Sequence, residues 1–413
     1  MKSPLLILGA STRAAAFSAI RAGFAPVCGD MFADADLRRF ATVLEVPDYP
    51  QGLAEATRKL PSMPWIYTGA LENWSHQVDA VSQRHQLLGN ARAVLKTCRD
   101  PWFLQRMLKQ HKLPSLELCP QDAEPPRDGS WLRKPLRSSG GRAVSIWNRE
   151  SSTLAEPHYF QQFQAGVPIS AAFVASQDPV GQHWTELLGV SVQLSAKNLP
   201  ELNAPEFGYC GSIVPGRIED LKSITSQVCE SRIDWAGTAS PLRDQLRQLG
   251  ELVADHCGMQ GLFGIDLIWN GTSLWPIEIN PRYTASMELQ EQAVGKSLVK
   301  WHWSACQSNV TANFSELLRA EIHSAISSAE QRQGFFGKVV LYSNRPAIAP
   351  DLTHLISASV DFGTPPTVAD IPVSGSSIEC GQPVFTCLSQ NIQASHLLQQ
   401  LVSQAQTLWS GFL

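Results

Sequence analysis

The sequence predicts an α/β protein in three parts, with α+β character in the middle, on three observations. Short apolar strand-like runs alternate with amphipathic stretches over roughly the first 90 residues, the pattern of a parallel doubly wound sheet. Long strand-patterned segments then dominate the centre and end on a hairpin around Asn270-Gly271, a strong short-range turn signal. From Gly337 onward the composition shifts to short Val/Ile runs, Pro365-Pro366 and few charges, which predicts a small β-rich C-terminal module.

The elements follow in chain order. Residues 4–9 (PLLILG) read as a short buried strand, and Ser11 as the N-cap of a helix through about Ala22. PVCGD (26–30) is a second strand with Asp30 at its end, and PWIYTGALEN (64–73) a third, running into a loop or helix start. Ligands in such a sheet bind beyond the carboxyl ends of the strands. The first turn, Gly9-Ala10-Ser11-Thr12-Arg13, lacks two of the three glycines of a dinucleotide fingerprint. Arg13, at a helix N-terminus, either helps hold a small anion or is a surface arginine that caps nothing, and Glu72 and Asn73 face the same crevice if the topology holds.

Ala91–Lys112 reads as one helix with Leu95, Phe103, Leu104 and Leu108 on its core face, ended by Pro114. Residues 131–147 read as two strands joined by a loop containing Ser138, Ser139, Gly140, Gly141 and Arg142. Residues 158–175 and 184–194 are strand-like, Pro241–His256 is a helix, 261–271 pairs with 273–282, and a last helix lies near Ser395–Trp409.

A chain of 413 residues exceeds one ordinary core, and its formal charge of −4 leaves no basic excess for a nucleic-acid partner. Leu5–Leu8 is too short for the apolar centre of a secretion signal, and no run is long enough to span a membrane. Nine scattered cysteines without CxxC read as reduced thiols of a cytoplasmic protein, and the ten histidines show no zinc spacing.

The chemistry converges on WPIEINPR (275–282). In a strand, Ile277 and Ile279 point to a core while Glu278 and Asn280 share the other face, which Arg282 continues if the chain stays extended. Across the hairpin, Asp266 falls opposite Glu278. Two carboxylates and an amide, without His or Cys, suit Mg²⁺ or Mn²⁺ held together with substrate phosphates. The glycines at 140 and 141 let backbone N–H groups approach oxyanions, and Lys134 on the entering strand adds a mobile positive charge.

These pieces together resemble the ATP-grasp superfamily over most of the chain: RKPLRSSGGRAV, FQQFQAG and GIDLIWNG…WPIEINPR are the matching motifs. The resemblance implies a pre-ATP-grasp domain over residues 1–92, a two-lobed ATP-grasp domain over 93–312 (small lobe about 115–165) and a C-terminal cap over 313–413. It implies ATP with one or two Mg²⁺ held by Asp266, Glu278 and Asn280, and Lys134 on the α/β-phosphates under the 138–142 loop. Gln161, Gln162, Phe163 and Gln164 would run along adenine, and Arg282 would bind the transferring phosphoryl group or the acyl phosphate. Two departures stand out. Pro101 sits where the family usually has a further lysine, leaving Lys96 or Arg99 to substitute, and Gln162 stands where an acid is usual.

The resemblance implies an ATP-dependent carboxylate–amine ligase working through an acyl phosphate, with small-molecule acid and amine substrates and a homodimer as a common assembly. Substrate would sit between Arg13 and Glu72 and the metal strands, with Glu288 holding the amine or lying on a helix surface. SWLRKPLRSSGG, EFGYCGSI and EINPRYTASMELQE are similar to ATP-grasp proteins that accompany methanopterin and methanofuran one-carbon pathways, where a relative joins glutamate to tyramine. That association points to an amino acid such as glutamate as a substrate. The alternatives are a biotin-carboxylase-like reaction, which the absence of a Met-Lys-Met site disfavours, and a non-catalytic nucleotide-binding protein, which the intact Asp/Glu/Asn set disfavours. A dinucleotide-dependent reductase is opposed by the incomplete glycine fingerprint.

Overall fold

Pro4–Gly9 (β1) is buried from its second residue on, as a strand covered on both faces must be. The structure, a computed structural model, describes residues 2–46, 48–151, 156–177, 183–228, 239–307, 312–363 and 365–412. Around β1 the chain runs α1 (Arg13–Arg21), β2 (Ala25–Asp30), α2 (Ala35–Phe40), β3 (Thr42–Leu44), α3 (Leu53–Thr57), β4 (Pro64–Tyr67), α4 (Ser75–Ser82) and β5 (Gln86–Leu87). All pairs are parallel in the order β3-β2-β1-β4-β5. The order reverses between β1 and β4, so the crevice opens beyond their carboxyl ends, at Gly9–Arg13 and Thr68–Glu72.

Ser11 does not cap α1. Thr12 holds that position without a side-chain cap, because its N–H and Oγ1 both donate to Asp30 Oδ2, at 2.6 and 2.8 Å. Gly9 serves packing rather than a pyrophosphate: a Cβ there would lie 1.9 Å from Thr68 Oγ1.

The predicted helix 91–112 is two helices, α5 (Arg92–Cys98) and α6 (Pro101–Gln110). Pro101 excludes the preceding residue from helical geometry, and Asp100, with ψ 103°, instead accepts from Trp102 N–H to cap α6. The break leaves Arg99 at the end of α5, where it turns into the interior.

A small antiparallel sheet follows, in the order β6-β9-β7-β8, built from β6 (Leu118–Pro120), β7 (Asp128–Pro135), β8 (Ser145–Asn148) and β9 (His158–Gln162). The largest sheet begins with β10 (Val167–Gln177), β11 (His183–Ser195) and β12 (Tyr209–Pro215). After α7 (Leu221–Val228) and α8 (Ala239–Cys257), the hairpin β13 (Gly261–Trp269) and β14 (Leu274–Asn280) joins its edge. Then come α9 (Met287–Val294), α10 (Leu298–Ala305), α11 (Ala312–Glu330) and β15 (Phe335–Tyr342). The chain ends with β16 (Ala347–Ile348), β17 (Val368–Ala369), β18 (Ser377–Ile378), β19 (Pro383–Asn391) and α12 (Ala394–Trp409).

Most of the C-terminal β structure completes the largest sheet: β15 pairs with β12, β19 with β15 and β17 with β19, giving one eight-stranded order β14-β13-β10-β11-β12-β15-β19-β17, while β16 and β18 pair as a separate two-stranded sheet. Composition marks these segments as β, but not the edge they complete. One core cluster accordingly joins Phe173, Phe263 and Ile279 of the centre to Phe385, Leu401 and Trp409 of the C-terminus.

Candidate active site

A cavity of about 820 Å³ runs from the small sheet, past the β13–β14 hairpin, to the carboxyl ends of β1 and β2. The hairpin pairs as expected, with Asp266 directly across from Glu278. Pro276, which has no N–H to give a ladder, sits on the sheet's edge strand, and next to it the register slips by one residue. The slip corrects one expectation. Ile277 is the extra residue and lines the cavity beside Glu278, whereas Ile279 is fully buried in the core.

The polar ridge is bonded end to end. Asp266 accepts from Gln193 Nε2 and Asn280 Nδ2, each at 3.0 Å. Asn280 Oδ1 in turn accepts from Arg282 at 3.1 Å. Burial first, and the Glu278 charge second, push the Asp266 carboxyl up to about 6. Arg282 donates to Glu72 at 2.6 Å, and both side chains are nearly sealed. Burial pushes Glu72 up, and the Arg282 guanidinium more than reverses it, holding the acid below its usual range. Glu72 does not line the cavity; it fixes Arg282 from behind.

Glu278 is ion-paired with Arg99, which also donates to Ser138 O at 3.1 Å. Of the two basic residues weighed for this place, Arg99 lines the cavity, and Lys96 is exposed on α5 away from it. Among the described residues no three His, Cys, Asp or Glu side chains form a metal site by themselves. Asp266, Glu278 and Asn280 therefore fit a hard cation only with phosphate oxygens completing its shell, and a cationic group already lies against Glu278.

Lys134 lines the cavity and donates to Gln161 Oε1 at 3.0 Å. Ser138, Ser139, Gly140 and Gly141 line it too, whereas Arg142 does not. The loop is pinned from two sides: Asn73 donates to Ser138 O at 3.1 Å, and Tyr209 N–H to Gly140 O at 3.0 Å. Gly141, at φ +75°, passes so close to the 205–208 turn that a Cβ would lie 1.9 Å from Phe207 O. Gln161, Gln162, Phe163 and Gln164 all line the cavity. The N–H groups of Gln162 and Phe163 already donate to Glu117 O and Ser130 O, and the Phe163 ring is 39% exposed.

Arg13 reaches the cavity but is no open anion site. It is 1% exposed and ion-paired with Glu288 and Asp370. Glu288 neither lines the cavity nor lies on a helix surface; its carboxylate bridges Arg13 and Lys338, with Lys338 Nζ at 3.1 Å. Burial opposes its charge, but those two cations hold it far below the carboxylate range. Sequence reasoning missed Gln193, Asp34, Lys338 and Asp370. They are single residues on separate elements with no motif around them, and only an assembled sheet brings them together.

Residues 98–240 match the family model described as an ATP-grasp domain. No curated protein matches the sequence. Among solved structures, pyruvate carboxylase T882A from Rhizobium etli aligns with TM-score 0.67 at 11% identity, over 100% of this chain and 37% of its own. The biotin carboxylase domain of 2-oxoglutarate carboxylase from Hydrogenobacter thermophilus, solved with MgADP, ADP and bicarbonate, aligns at 0.62 and 11% identity, over 99% and 90%. L-amino acid ligase from Bacillus licheniformis aligns at 0.62 and 12% identity, over 100% and 98%. The chain thus spans little more than a third of the first of these and nearly all of the last. At such identities the likeness is one of fold.

Proposed function

Because this chain carries an ATP-grasp domain and has the ATP-grasp fold, we propose that it is an ATP-dependent ligase that joins a carboxylate to an amine. The observation that carries the proposal is the Asp266–Glu278 pair, with Asn280 and Arg282 continuing the same ridge, in one cavity with Lys134 and the glycine loop. A carboxylate oxygen of the acid substrate takes the γ-phosphoryl group of ATP, giving an acyl phosphate and ADP. The amine nitrogen then attacks the carbonyl carbon, the carbon–oxygen bond to phosphate breaks, and an amide, phosphate and a proton are released.

Each residue has a role in that sequence. Lys134 binds the α/β-phosphates, and the 138–141 loop covers them with backbone N–H groups. Arg282, held rigid by Glu72 and Asn280, stabilises charge on the transferring group. Asp266, Glu278 and Asn280 would hold Mg²⁺, which when bound neutralises phosphate charge. The loop's bonds to Asn73 and Tyr209 draw it over the cavity, which excludes water from the acyl phosphate. No activated serine or cysteine is needed, since phosphoryl transfer depends on positioning and charge.

A screen of amino acids against amines with Mg²⁺ and ATP, read by phosphate release, tests the proposal. Phosphate that appears only when acid and amine are both present supports it. Release that depends on bicarbonate and biotin would replace it with a carboxylase.

A further inference from the structure

Past Arg282, the cavity ends in a chamber walled by Arg13, Phe32, Asp34, Lys338, Asp370 and Thr386. Four buried acids, Asp30, Asp34, Asp36 and Glu288, and the half-buried Asp370 meet there against two cations, Arg13 and Lys338. Four of the acids are fully engaged. Asp30 accepts from Thr12, Phe32 and Ala33, and Asp36 from the N–H groups of Asp370 and Ile371. Glu288 takes both cations, and Asp370 accepts from Arg13 and from Thr386.

Asp34 is the exception. It stands at the N-cap of α2 but accepts no cap hydrogen bond, and no side chain among the described residues donates to it. It is 7% exposed, and it lines the chamber. Its oxygens open on the chamber, and a carboxylate so shielded, without a protein donor, gains from a proton or a cation. Burial first, then the charges of Asp370, Asp30 and Asp36, raise its pKa well above the ordinary value. Arg13 and Lys338 do not fill the need, since their hydrogen bonds go to other acids.

We propose that Asp34 binds a primary ammonium group carried by one of the two ligase substrates, a group distinct from the reacting carboxylate or amine. The proposal rests on the ligase reading and narrows its substrate class to an amino acid on the acid side or a diamine on the amine side. Phe32, 40% exposed in the same chamber, offers its ring to the methylenes or the charge of such a group.

Thermal melting of the full chain with MgADP tests this with the twenty common amino acids and putrescine as probes, beside glutarate, lactate and n-butylamine as counterparts lacking that ammonium. The wild type is expected to be stabilised by at least one amino acid or by putrescine, and not by the counterparts. A responding amino acid puts the ammonium on the acid substrate, and responding putrescine puts it on the amine. In Asp34→Asn the half-saturating concentration of that compound rises about 30-fold, the loss expected for a buried charge partner. The shift caused by MgATP stays as in the wild type, and the ligand-free melting point is equal or higher, because no hydrogen bond is lost. No response to any amino acid or to putrescine, unchanged binding in Asp34→Asn, or a lower ligand-free melting point would each overturn the proposal. Failure of the ligase reading would look different: no acid–amine pair would yield ADP, while the binding difference at Asp34 persisted.

Discussion

Replacing Glu278 by Gln keeps the shape of the side chain and removes one of the two negative charges on the ridge. The charge has three neighbours in the structure, Arg99 in an ion pair, Asp266 across the strand register and the Arg282 guanidinium. For folding the loss is moderate. The Arg99 and Glu278 side chains are 16% and 33% exposed, so the pair lies between a surface pair, worth about 1 kcal/mol or less, and a sealed one, whose breaking costs about 3–5 kcal/mol. Removing Glu278 also relieves the second-largest influence raising the Asp266 carboxyl. For turnover the loss is large, because the charge acts where phosphoryl oxygens gather. Losing such preorganised stabilisation costs about 3–4 kcal/mol, or roughly 10²–10³-fold in kcat. Phosphate release under saturating MgATP reads the rate, and a melting curve reads the fold. A variant within about threefold of wild-type kcat would refute the placement of the metal on this ridge, whatever its stability.

Other outcomes follow from the same geometry. Gly141→Ala forces a Cβ against Phe207 O at a left-handed φ, so the loop should fail to seat and the KM for ATP should rise about tenfold with little change in melting. Glu288→Gln leaves Arg13 and Lys338 buried without their shared anion, and urea unfolding should show a loss of about 3–5 kcal/mol. Asp266, at about 6 when folded and near 4 when unfolded, contributes stability that is full below pH 4 and is lost as pH rises through 6. The two-unit difference sets this at up to about 3 kcal/mol. Mg²⁺ with ADP should therefore raise the melting point more at pH 7.5 than at pH 5.5, where protons compete for Asp266.

The parts legible in the sequence were those governed by local rules. An Asn-Gly turn and period-two patterning were enough to set Asp266 opposite Glu278. The slip at Pro276 was not foreseen, although a proline in a strand is a cue for one, and it moved Ile277 from core to cavity. Glu288 was weighed as a helix-surface residue, but the acids of α9, Glu288 and Glu291, are buried, because their cationic partners come from distant elements. Arg282 was read as a phosphoryl ligand, but its clamp, Glu72, lies 210 residues away and only the assembled crevice joins them. The same holds for Asp34, whose significance is the absence of a donor, a property of packing that no motif encodes.

The central claim is that one ridge and one glycine loop transfer a phosphoryl group from ATP to a carboxylate that an amine then captures. Its most direct measurement follows ADP and phosphate together while acid, amine and Mg²⁺ are each omitted in turn. The account predicts stoichiometric ADP and phosphate only in the complete mixture, with an amide of the two substrates as the third product. Equal phosphate release without the amine, or release that requires bicarbonate and biotin, would contradict it.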